Sequence, residues 1–296
     1  MTTDAPQQTA HRPSEHQPSA FVPGGPDGTT SGSGSPSASG SPSGKDAAPG
    51  GEGSSAYGES LADIYDSLYP ATGPEVDSMI AFLQELRPAP ASLLELGVGT
   101  GRLAIPLAEH GYRVHGVDAS PAMLAKLHEN DSTGGVTTSV GDFSELAVEE
   151  RYDLVLTALN TFFMLPTQEQ QINCLRGIHD ALADDGVAVF ETYNPQVYHR
   201  LTEATTRVGH LAPDALLLDT IQVNRSLQSV LVVHTIMGPR GLRKVPEVSR
   251  YAWPAEFDAM ARLAGLRVTG RWSDWDRGPV TDQAEKHVYV VERQTV

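Results

Sequence analysis

The sequence predicts a doubly wound α/β fold, in which helices cover both faces of a mainly parallel β-sheet. At residues 93–110 a buried strand leads into a glycine-rich turn that opens a helix. Strand and helix patterns alternate five times by residue 192. Residues 152–156 are almost continuously apolar, as expected for a central parallel strand buried on both faces. This order of elements is typical of folds that bind ligands beyond the carboxyl ends of their strands.

Composition and charge limit the classes of partner. The chain has 296 residues, which suits one domain with a tail or two small domains, and its formal net charge is −16. Because an acidic chain of this kind lacks the positive surface that binds phosphates, we expect no nucleic-acid or membrane partner. A single cysteine, Cys174, excludes an intramolecular disulfide, and no apolar run suits a signal peptide or a membrane span. We therefore expect a cytoplasmic protein.

Residues 1–55 form a tail that is rich in Gly, Ser, Pro, Ala and Thr and almost without large apolar residues. Such a segment cannot bury enough surface to offset its conformational entropy, so we predict that it is disordered. It is either a dispensable leader or a segment that docks a partner. The folded domain is predicted to span residues 56–296.

The folded part is predicted to begin with a helix near Tyr57. Apolar residues recur on one face of this helix, and Tyr65 and Tyr69, four residues apart, lie on the same side. The two tyrosines are either packing residues or part of a pocket, and the pattern alone favours neither. A second amphipathic helix over residues 76–86 is expected to pack on the sheet.

The glycine-rich turn contains Gly97, Gly99 and Gly101. Glycine permits the positive φ angles of such a turn and lets a ligand approach the backbone closely. The spacing is GxGxG, whereas the dinucleotide-binding fingerprint needs a further glycine at the position of Arg102. An NAD-dependent oxidoreductase, which uses the same kind of sheet, is therefore the weaker alternative.

The second strand is predicted to end at Asp118, directly before a helix with Ser120 as its N-cap and Pro121 in its first turn. A carboxylate at this strand end can accept hydrogen bonds from both hydroxyls of a ribose. The alternative is a second capping carboxylate. The position on the second strand favours ribose recognition.

Glu95 precedes the first glycine by two residues, and the run Glu95-Leu96-Gly97-Val98-Gly99-Thr100-Gly101 resembles motif I of the class I S-adenosylmethionine-dependent methyltransferases. The resemblance runs from Tyr57 to the C terminus and implies a seven-stranded Rossmann-like sheet with S-adenosyl-L-methionine as the cofactor. It implies that Asp142 contacts the adenine amino group, that Phe143 packs on the ring, and that the loop of Asn160 lies beside the methionine end. The residues implied to bind the cofactor are Tyr65, Glu95, Gly97, Gly99, Gly101, Arg102, Asp118, Ala119, Met123, Asp142, Phe143 and Asn160.

Residues 195–253 depart from the simplest form of this fold. A helix is followed by strand-like runs at 216–223 and 230–237, before a last run at 248–253. We predict an antiparallel β insertion after the fifth strand that covers the active-site edge and binds the acceptor. It resembles the cap of the amino-sugar N-methyltransferases. Its basic residues either hold an acidic group of the acceptor or form a solvated strand face; they are Arg225, Arg240, Arg243, Lys244 and Arg250.

Methyl transfer from a sulfonium chiefly requires that the acceptor atom and the methyl group be aligned. The resemblance therefore implies a methyltransferase that acts on an amine or hydroxyl of a small molecule, for example a secondary metabolite. A peptide N terminus is an alternative acceptor, and a methyltransferase-like binding module without catalysis is an alternative of another class. We expect no metal site. Tyr65, Tyr69, Asn160 and Tyr193 are the predicted acceptor-positioning residues, and Asn194, His199, His234 and Tyr251 are further candidates.

Overall fold

The computed structural model describes residues 50–294, of which residues 50–54 are described only by their backbone. The predicted disordered tail therefore lies outside the described residues, except for its last six positions. Residues 50–55 are helical, because the first helix, α1, spans Gly50–Leu61. Helix α1 therefore begins before residue 56, where the folded domain was predicted to start.

Where the sequence predicted one helix near Tyr57, the structure has two helices separated by a turn. α1 ends at Leu61, three turn residues follow, and a single helical turn, α2, spans Tyr65–Leu68. The break lets Asp66 accept a 2.5 Å hydrogen bond from the Thr100 hydroxyl, which ties α2 to the glycine-rich turn. The single-helix prediction is wrong because this tertiary contact reorients the chain. A third helix, α3, follows at Pro74–Leu86.

Strands and helices then alternate as predicted. A short 3₁₀ helix follows β3 and another follows β4. The elements are β1 Ser92–Leu96, α4 Ala104–Glu109, β2 Arg113–Asp118, α5 Pro121–Asn130, β3 Val136–Val140, β4 Tyr152–Thr157, α6 Gln168–Ala181, β5 Leu182–Tyr193, α7 Pro195–His199, β6 Thr205–Ala212, β7 Ala215–Asn224, β8 Ser229–Gly238, β9 Gly241–Arg250, α8 Pro254–Leu263, β10 Leu266–Trp272 and β11 Lys286–Arg293.

The main sheet has seven strands in the order β10-β11-β5-β4-β1-β2-β3. β1 to β5 pair in parallel, and β11 pairs antiparallel with both β5 and β10. The predicted fold class is confirmed. The chain direction of the crossovers reverses between β1 and β4, so the crevice that binds ligands in such sheets opens at their carboxyl ends.

The insertion forms a separate antiparallel sheet in the order β6-β7-β8-β9. The predicted runs correspond to β7 and β8, the two central strands. The prediction missed β6 and began the last strand too late, at residue 248 instead of Gly241. Both are edge strands, which tolerate Gly209 in β6 and Pro246 in β9 and therefore lack the alternation of a buried strand.

A small apolar cluster joins the insertion sheet to the N-terminal helices. Leu61 and Ile64 pack there with Met123 of α5 and with Ile236 and Val245 of the insertion sheet. The N-terminal segment and the insertion thus close over the carboxyl ends of β1 and β2. Within residues 50–294, no helix is both long and apolar enough to cross a bilayer.

Candidate active site

The glycine-rich turn presents bare backbone to a cavity at the carboxyl ends of the central strands. Gly97, Gly99 and Gly101 have φ angles of 69°, 56° and 88°, which side chains disfavour. A Cβ atom on Gly99 would meet only Cε1 of Tyr65, at 3.8 Å, so the space before this residue is open. The first two glycines line the cavity, whereas a Cβ on Gly101 would lie 2.7 Å from Ile105 of α4. The turn can therefore accept a ligand against Gly99, whereas the space before Gly97 is filled by Thr161.

Asp118 lies beside this turn at the end of β2. Its Oδ2 atom accepts a 2.8 Å hydrogen bond from the Gly99 nitrogen, and its Oδ1 atom accepts one of 2.9 Å from the Ser120 nitrogen. Burial raises the pKa of the Asp118 carboxyl, and the backbone donors oppose that shift. Each carboxylate oxygen has two lone pairs, so the side chain can still accept from ligand hydroxyls. Asp118 faces the cavity with Ala119.

Glu95 and Arg102 lie beneath the turn and are absent from the cavity lining. Glu95 is buried, its Oε2 atom has no partner among the described residues, and burial raises its pKa to about 8. The Arg102 guanidinium donates to the carbonyl of Pro70 and pairs with Glu75 of α3, at 3.1 and 3.5 Å. The contacts of Arg102 tie the turn to the N-terminal segment.

Asp142 also lies outside the cavity lining, next to Phe143, which is part of it. Its side chain caps the 3₁₀ helix after β3, because Oδ1 accepts a 2.8 Å hydrogen bond from the Ser144 nitrogen. The carboxylate is half-buried.

The loop after β4 forms another wall and is held in an unusual conformation. Leu159 and Asn160 have φ angles of 49° and 66°, which cost energy for residues with side chains. The Glu191 carboxylate accepts a 2.9 Å hydrogen bond from the Leu159 nitrogen, and its backbone oxygen accepts from the Asn160 nitrogen at 3.2 Å. Lys286 of β11 donates to Glu191 at 2.7 Å and pairs with Glu75. Despite burial, Lys286 holds the pKa of Glu191 below its ordinary value.

Tyrosines form much of the remaining wall. Tyr57, Tyr65 and Tyr69 come from the N-terminal segment, and Tyr193 and Tyr198 come from β5 and α7. The Tyr65 and Tyr69 rings lie 4.8 Å apart, and the Tyr193 hydroxyl lies 3.0 Å from the Ser249 hydroxyl. Burial raises the pKa of all five phenols, so they are neutral near pH 7. They can donate hydrogen bonds and present ring faces to a ligand.

The insertion sheet contributes His234 and Glu247 to the cavity. His234 is buried, with Nδ1 2.7 Å from Oδ1 of Asp219 and Nε2 3.2 Å from Oε2 of Glu247. Burial lowers the pKa of the imidazole, but the two hydrogen-bonded carboxylates outweigh it and raise the pKa to about 9. The ring is therefore protonated at neutral pH and donates from both nitrogens.

The structure brings most of the predicted site residues together. The predicted residues in the lining are Tyr65, Tyr69, Gly97, Gly99, Asp118, Ala119, Met123, Phe143, Asn160 and Tyr193. Those outside it are Glu95, Gly101, Arg102 and Asp142. Their direct contact with the cofactor stays a prediction.

Sequence reasoning missed several lining residues. Only Glu191 had a usable signal, since it lies near the end of a parallel strand as Asp118 does. The others come from elements whose position depends on tertiary packing. The lining residues not predicted as site residues are Tyr57, Gly58, Leu159, Thr161, Met164, Glu191, Tyr198, Val232, Glu247, Glu285 and Lys286, with His234 a further candidate only.

The other candidates make contacts elsewhere. Asn194 donates to the Ala284 carbonyl, and His199 contacts the Tyr251 hydroxyl at 2.5 Å. Among the basic residues of the insertion, Arg225 binds backbone carbonyls and Arg250 pairs with Glu256. Arg240 and Arg243 pair with Asp63. No group of three or more His, Cys, Asp or Glu side chains within the described part of the chain is arranged to hold a metal.

Together, the seven-stranded sheet and the glycine-lined cavity define a class I S-adenosylmethionine-dependent methyltransferase. The family described as a methyltransferase domain matches residues 93–186. The chain is also 32% identical over 242 residues to the cypemycin N-terminal methyltransferase of a Streptomyces species, covering 81% of this chain and 98% of that relative. The chain belongs to this methyltransferase family, which sets aside the NAD-dependent alternative.

Two solved structures share the architecture. The CcbJ methyltransferase from Streptomyces caelestis is 36% identical, with a TM-score of 0.75 over 82% of this chain and 99% of that one. The S-adenosylmethionine-bound CalS10, an amino pentose methyltransferase from Micromonospora echinaspora, is 20% identical, with a TM-score of 0.62 over 78% and 97% of the two chains. At 20% identity, the similarity to CalS10 shows a shared fold only.

Proposed function

We propose that this methyltransferase acts on an amine nitrogen of a small molecule or peptide, within secondary metabolism. One observation carries the choice of an amine over a hydroxyl. His234 is the only histidine lining the cavity among the described residues, and its two carboxylate partners keep it protonated near pH 7. The phenols of the cavity are neutral as well. A hydroxyl acceptor needs a strong base, which this lining does not offer, whereas an amine attacks once it has lost a proton.

The cofactor half of the site is proposed to lie along the turn and the strand ends. The bare backbone at Gly99 leaves room for a ligand, and Asp118 retains lone pairs for ribose hydroxyls. Phe143, Met123 and Asn160 line the same cavity. Phe143 and Met123 would supply apolar surface to the adenine, and the loop of Asn160 would hold the methionine end. When bound, S-adenosylmethionine supplies an electrophilic methyl group that an uncharged amine takes by in-line displacement.

The acceptor half is proposed to lie between the N-terminal segment and the insertion, residues 195–253. Tyr65, Tyr69 and Tyr193 face this space and can orient the amine through hydroxyl groups and ring faces. A cavity carboxylate or solvent takes the proton that the amine loses. The folded unit that carries both halves is proposed to be residues 56–296.

A peptide N terminus is the second candidate acceptor, because the relative that is 32% identical over most of this chain is named as an N-terminal methyltransferase. Its name describes that protein, and for this chain the peptide remains a proposal. An N-terminal amine and an amino-sugar nitrogen present the same reacting group to the cavity.

Calorimetric titration of the full chain with S-adenosylmethionine and S-adenosylhomocysteine tests the cofactor assignment, and micromolar binding is expected. Acceptors are then screened by release of S-adenosylhomocysteine, using amino sugars, short peptides and their N-acetylated counterparts. Turnover that acetylation abolishes supports an amine acceptor. Turnover of hydroxyl compounds with no turnover of amines contradicts it, and lack of cofactor binding by the folded protein contradicts the whole assignment.

A further inference from the structure

A row of charged side chains crosses the cavity-facing side of the insertion sheet, one from each strand. Arg207 of β6 lies directly opposite Asp219 of β7, and Asp219 lies directly opposite His234 of β8. Glu247 of β9 completes the row by its contact with His234. Successive side chains of a strand point to opposite faces, so four charged residues on one face of a half-buried sheet require an explanation beyond solvation.

The signs of the charges alternate along the row. The Asp219 side chain is 4% exposed and the His234 side chain 7%, so this pair is desolvated and well ordered. His234 donates from both ring nitrogens and thereby fixes the position of the Glu247 carboxylate at the cavity end of the row. The groups that face His234 are Asp219 and Glu247 from the neighbouring strands and the Tyr57 ring from α1, 6.1 Å away.

Glu247 lies at the end of the row and lines the cavity. Its side chain is 21% exposed, and only Oε2 is hydrogen-bonded to a described residue, which leaves Oε1 available. The charged groups in the lining are four carboxylates, Asp118, Glu191, Glu247 and Glu285, and two cations, His234 and Lys286. Lys286 is already paired with Glu75 and Glu191, so the lining as a whole favours a positively charged occupant.

Aromatic rings near Glu247 match the same kind of occupant. Tyr57 and Tyr69 line the cavity, and the negative charge of Glu247 contributes to the raised pKa of both phenols. Neutral phenol rings attract ammonium groups through their faces, and a carboxylate accepts the N–H bonds of the same ammonium. A carboxylate framed by tyrosines is therefore suited to a primary or secondary ammonium ion.

We propose that the Glu247 carboxylate is the binding site for the protonated amine of the methyl acceptor, with Asp219 and His234 as positioning residues. The inference rests on the proposed amine acceptor and adds the recognition residue and the charged form in which the acceptor arrives. Glu247 comes from the insertion and not from the main sheet, whose strand ends carry the proposed cofactor half. The site discriminates against hydroxyl compounds of the same shape, since these bring no positive charge.

The probe is n-propylammonium, compared with n-propanol, in NMR titrations of the full chain at neutral pH with and without S-adenosylhomocysteine. The His234 side-chain signal, assigned by its loss in His234→Gln, reports binding at the adjacent Glu247. We expect a saturable shift with n-propylammonium and none with n-propanol. Glu247→Gln should weaken n-propylammonium by about tenfold, because an amide replaces the charged acceptor. The matched control Glu203→Gln, an exposed residue before β6, should bind as the wild type does.

Glu247→Asp keeps the charge and tests the geometry if Glu247→Gln folds poorly; it should bind n-propylammonium with intermediate affinity. Equal affinity of wild type and both Glu247 variants would overturn the proposal, as would an equal response to n-propanol. The ratio of S-adenosylmethionine to S-adenosylhomocysteine affinity should be the same in wild type and Glu247→Gln. A change in that ratio would mean that Glu247 serves the sulfonium, which also overturns the proposal. If neither cofactor binds the wild type, the proposed function fails, whereas the n-propylammonium titration still decides the role of Glu247.

Discussion

The Oδ2 atom of Asp118 accepts a hydrogen bond from the backbone nitrogen of Gly99 at 2.8 Å, which ties the end of β2 to the glycine-rich turn after β1. The other carboxylate oxygen accepts from the Ser120 nitrogen, at the start of α5. One side chain thus fixes the distance between two walls of the cavity. The same carboxylate is then preorganised to accept from a ligand, since its orientation is set before the ligand arrives.

Asp118→Asn should weaken binding of both S-adenosylmethionine and S-adenosylhomocysteine by about tenfold or more. The amide keeps only one acceptor oxygen, so its NH₂ group must face either the Gly99 nitrogen, the Ser120 nitrogen or the ligand hydroxyls. Calorimetric affinities measure the effect. Asp184→Asn, on a 98% exposed side chain, is the matched control and should bind normally. Unchanged affinity in Asp118→Asn would remove the ribose assignment.

The cavity wall proposed to hold the cofactor was predictable because it is built from short-range sequence. Gly97 and Gly99 follow β1 directly, and Asp118 ends the next strand, so strand order alone brings them together. The acceptor half depends on packing between distant segments. Lys286 reaches Glu191 across 95 residues, and Glu247 lies in an edge strand whose Pro246 obscures its alternation. No local sequence pattern predicts Lys286 or Glu247 as a site residue.

The break between α1 and α2 illustrates the same limit. The helical spacing of Leu61, Ile64 and Tyr65 is real, and Leu61 and Ile64 do pack together. The hydrogen bond from Thr100 to Asp66 lies outside that pattern and decides the course of the chain. Periodicity predicts which residues are buried, while the end of a helix can depend on a partner elsewhere in the sequence.

Glu95→Gln should remove a pH dependence from the stability of the protein. Burial raises the pKa of Glu95 to about 8 in the folded state, above its ordinary value of 4.5. The stability from its bound proton is fully present below pH 4.5 and is lost as the pH rises through about 8. Above pH 8 the neutral Gln variant should therefore exceed the wild type in unfolding free energy, by on the order of 5 kcal/mol. Urea unfolding at several pH values measures the difference.

The same variant tests whether Glu95 contacts the cofactor. Glu95 lies outside the cavity lining, so nearly wild-type affinity of Glu95→Gln for S-adenosylhomocysteine would contradict the direct contact that the sequence predicts. A large loss of affinity at a pH where both proteins are folded would support the direct contact that the sequence predicted.

His234→Gln should reduce the loss of unfolding free energy that the wild type shows as the pH rises. Asp219 and Glu247 raise the pKa of His234 to about 9, from an ordinary value of 6.5, and the Tyr57 ring packs nearby. The stability from the imidazolium is fully present below pH 6.5 and is lost as the pH rises through about 9. Over this pH window the wild type should lose on the order of 3 kcal/mol of unfolding free energy, and the variant should not show this loss.

The matched control for that experiment is His210→Gln, on the exposed side of β6 in the same sheet. It should keep the wild-type profile between pH 6.5 and 9. If His234→Gln and the wild type lose stability in parallel, the imidazole is not held in its charged form by the two carboxylates.

Glu191→Gln should destabilise the fold and loosen the loop at Leu159. The change removes a buried partner of Lys286, whose side chain is 14% exposed, and weakens the acceptor of the Leu159 nitrogen. Removing one member of a buried ion pair costs about 3 kcal/mol of unfolding free energy. Chemical denaturation should detect this loss, whereas Glu292→Gln, which breaks the more exposed pair with Arg267, should cost less than about 1 kcal/mol. Equal losses of unfolding free energy in the two variants would contradict the stabilising role assigned to the buried pair of Glu191 and Lys286.

Gly97→Ala and Gly134→Ala separate backbone strain from steric blockage in the turn. The two glycines have similar φ angles, 69° and 66°, so an alanine suffers the same conformational penalty of about 1 kcal/mol at either position. A Cβ atom on Gly134 meets nothing within 4 Å, whereas a Cβ on Gly97 would lie 2.3 Å from Cγ2 of Thr161. Gly97→Ala must therefore shift Thr161, which lines the cavity in the loop after β4. It should lose clearly more unfolding free energy than Gly134→Ala and should also weaken S-adenosylhomocysteine binding, which Gly134→Ala leaves intact. Equal stability and equal affinity in the two variants would show that the turn and the loop do not pack as closely as this geometry requires.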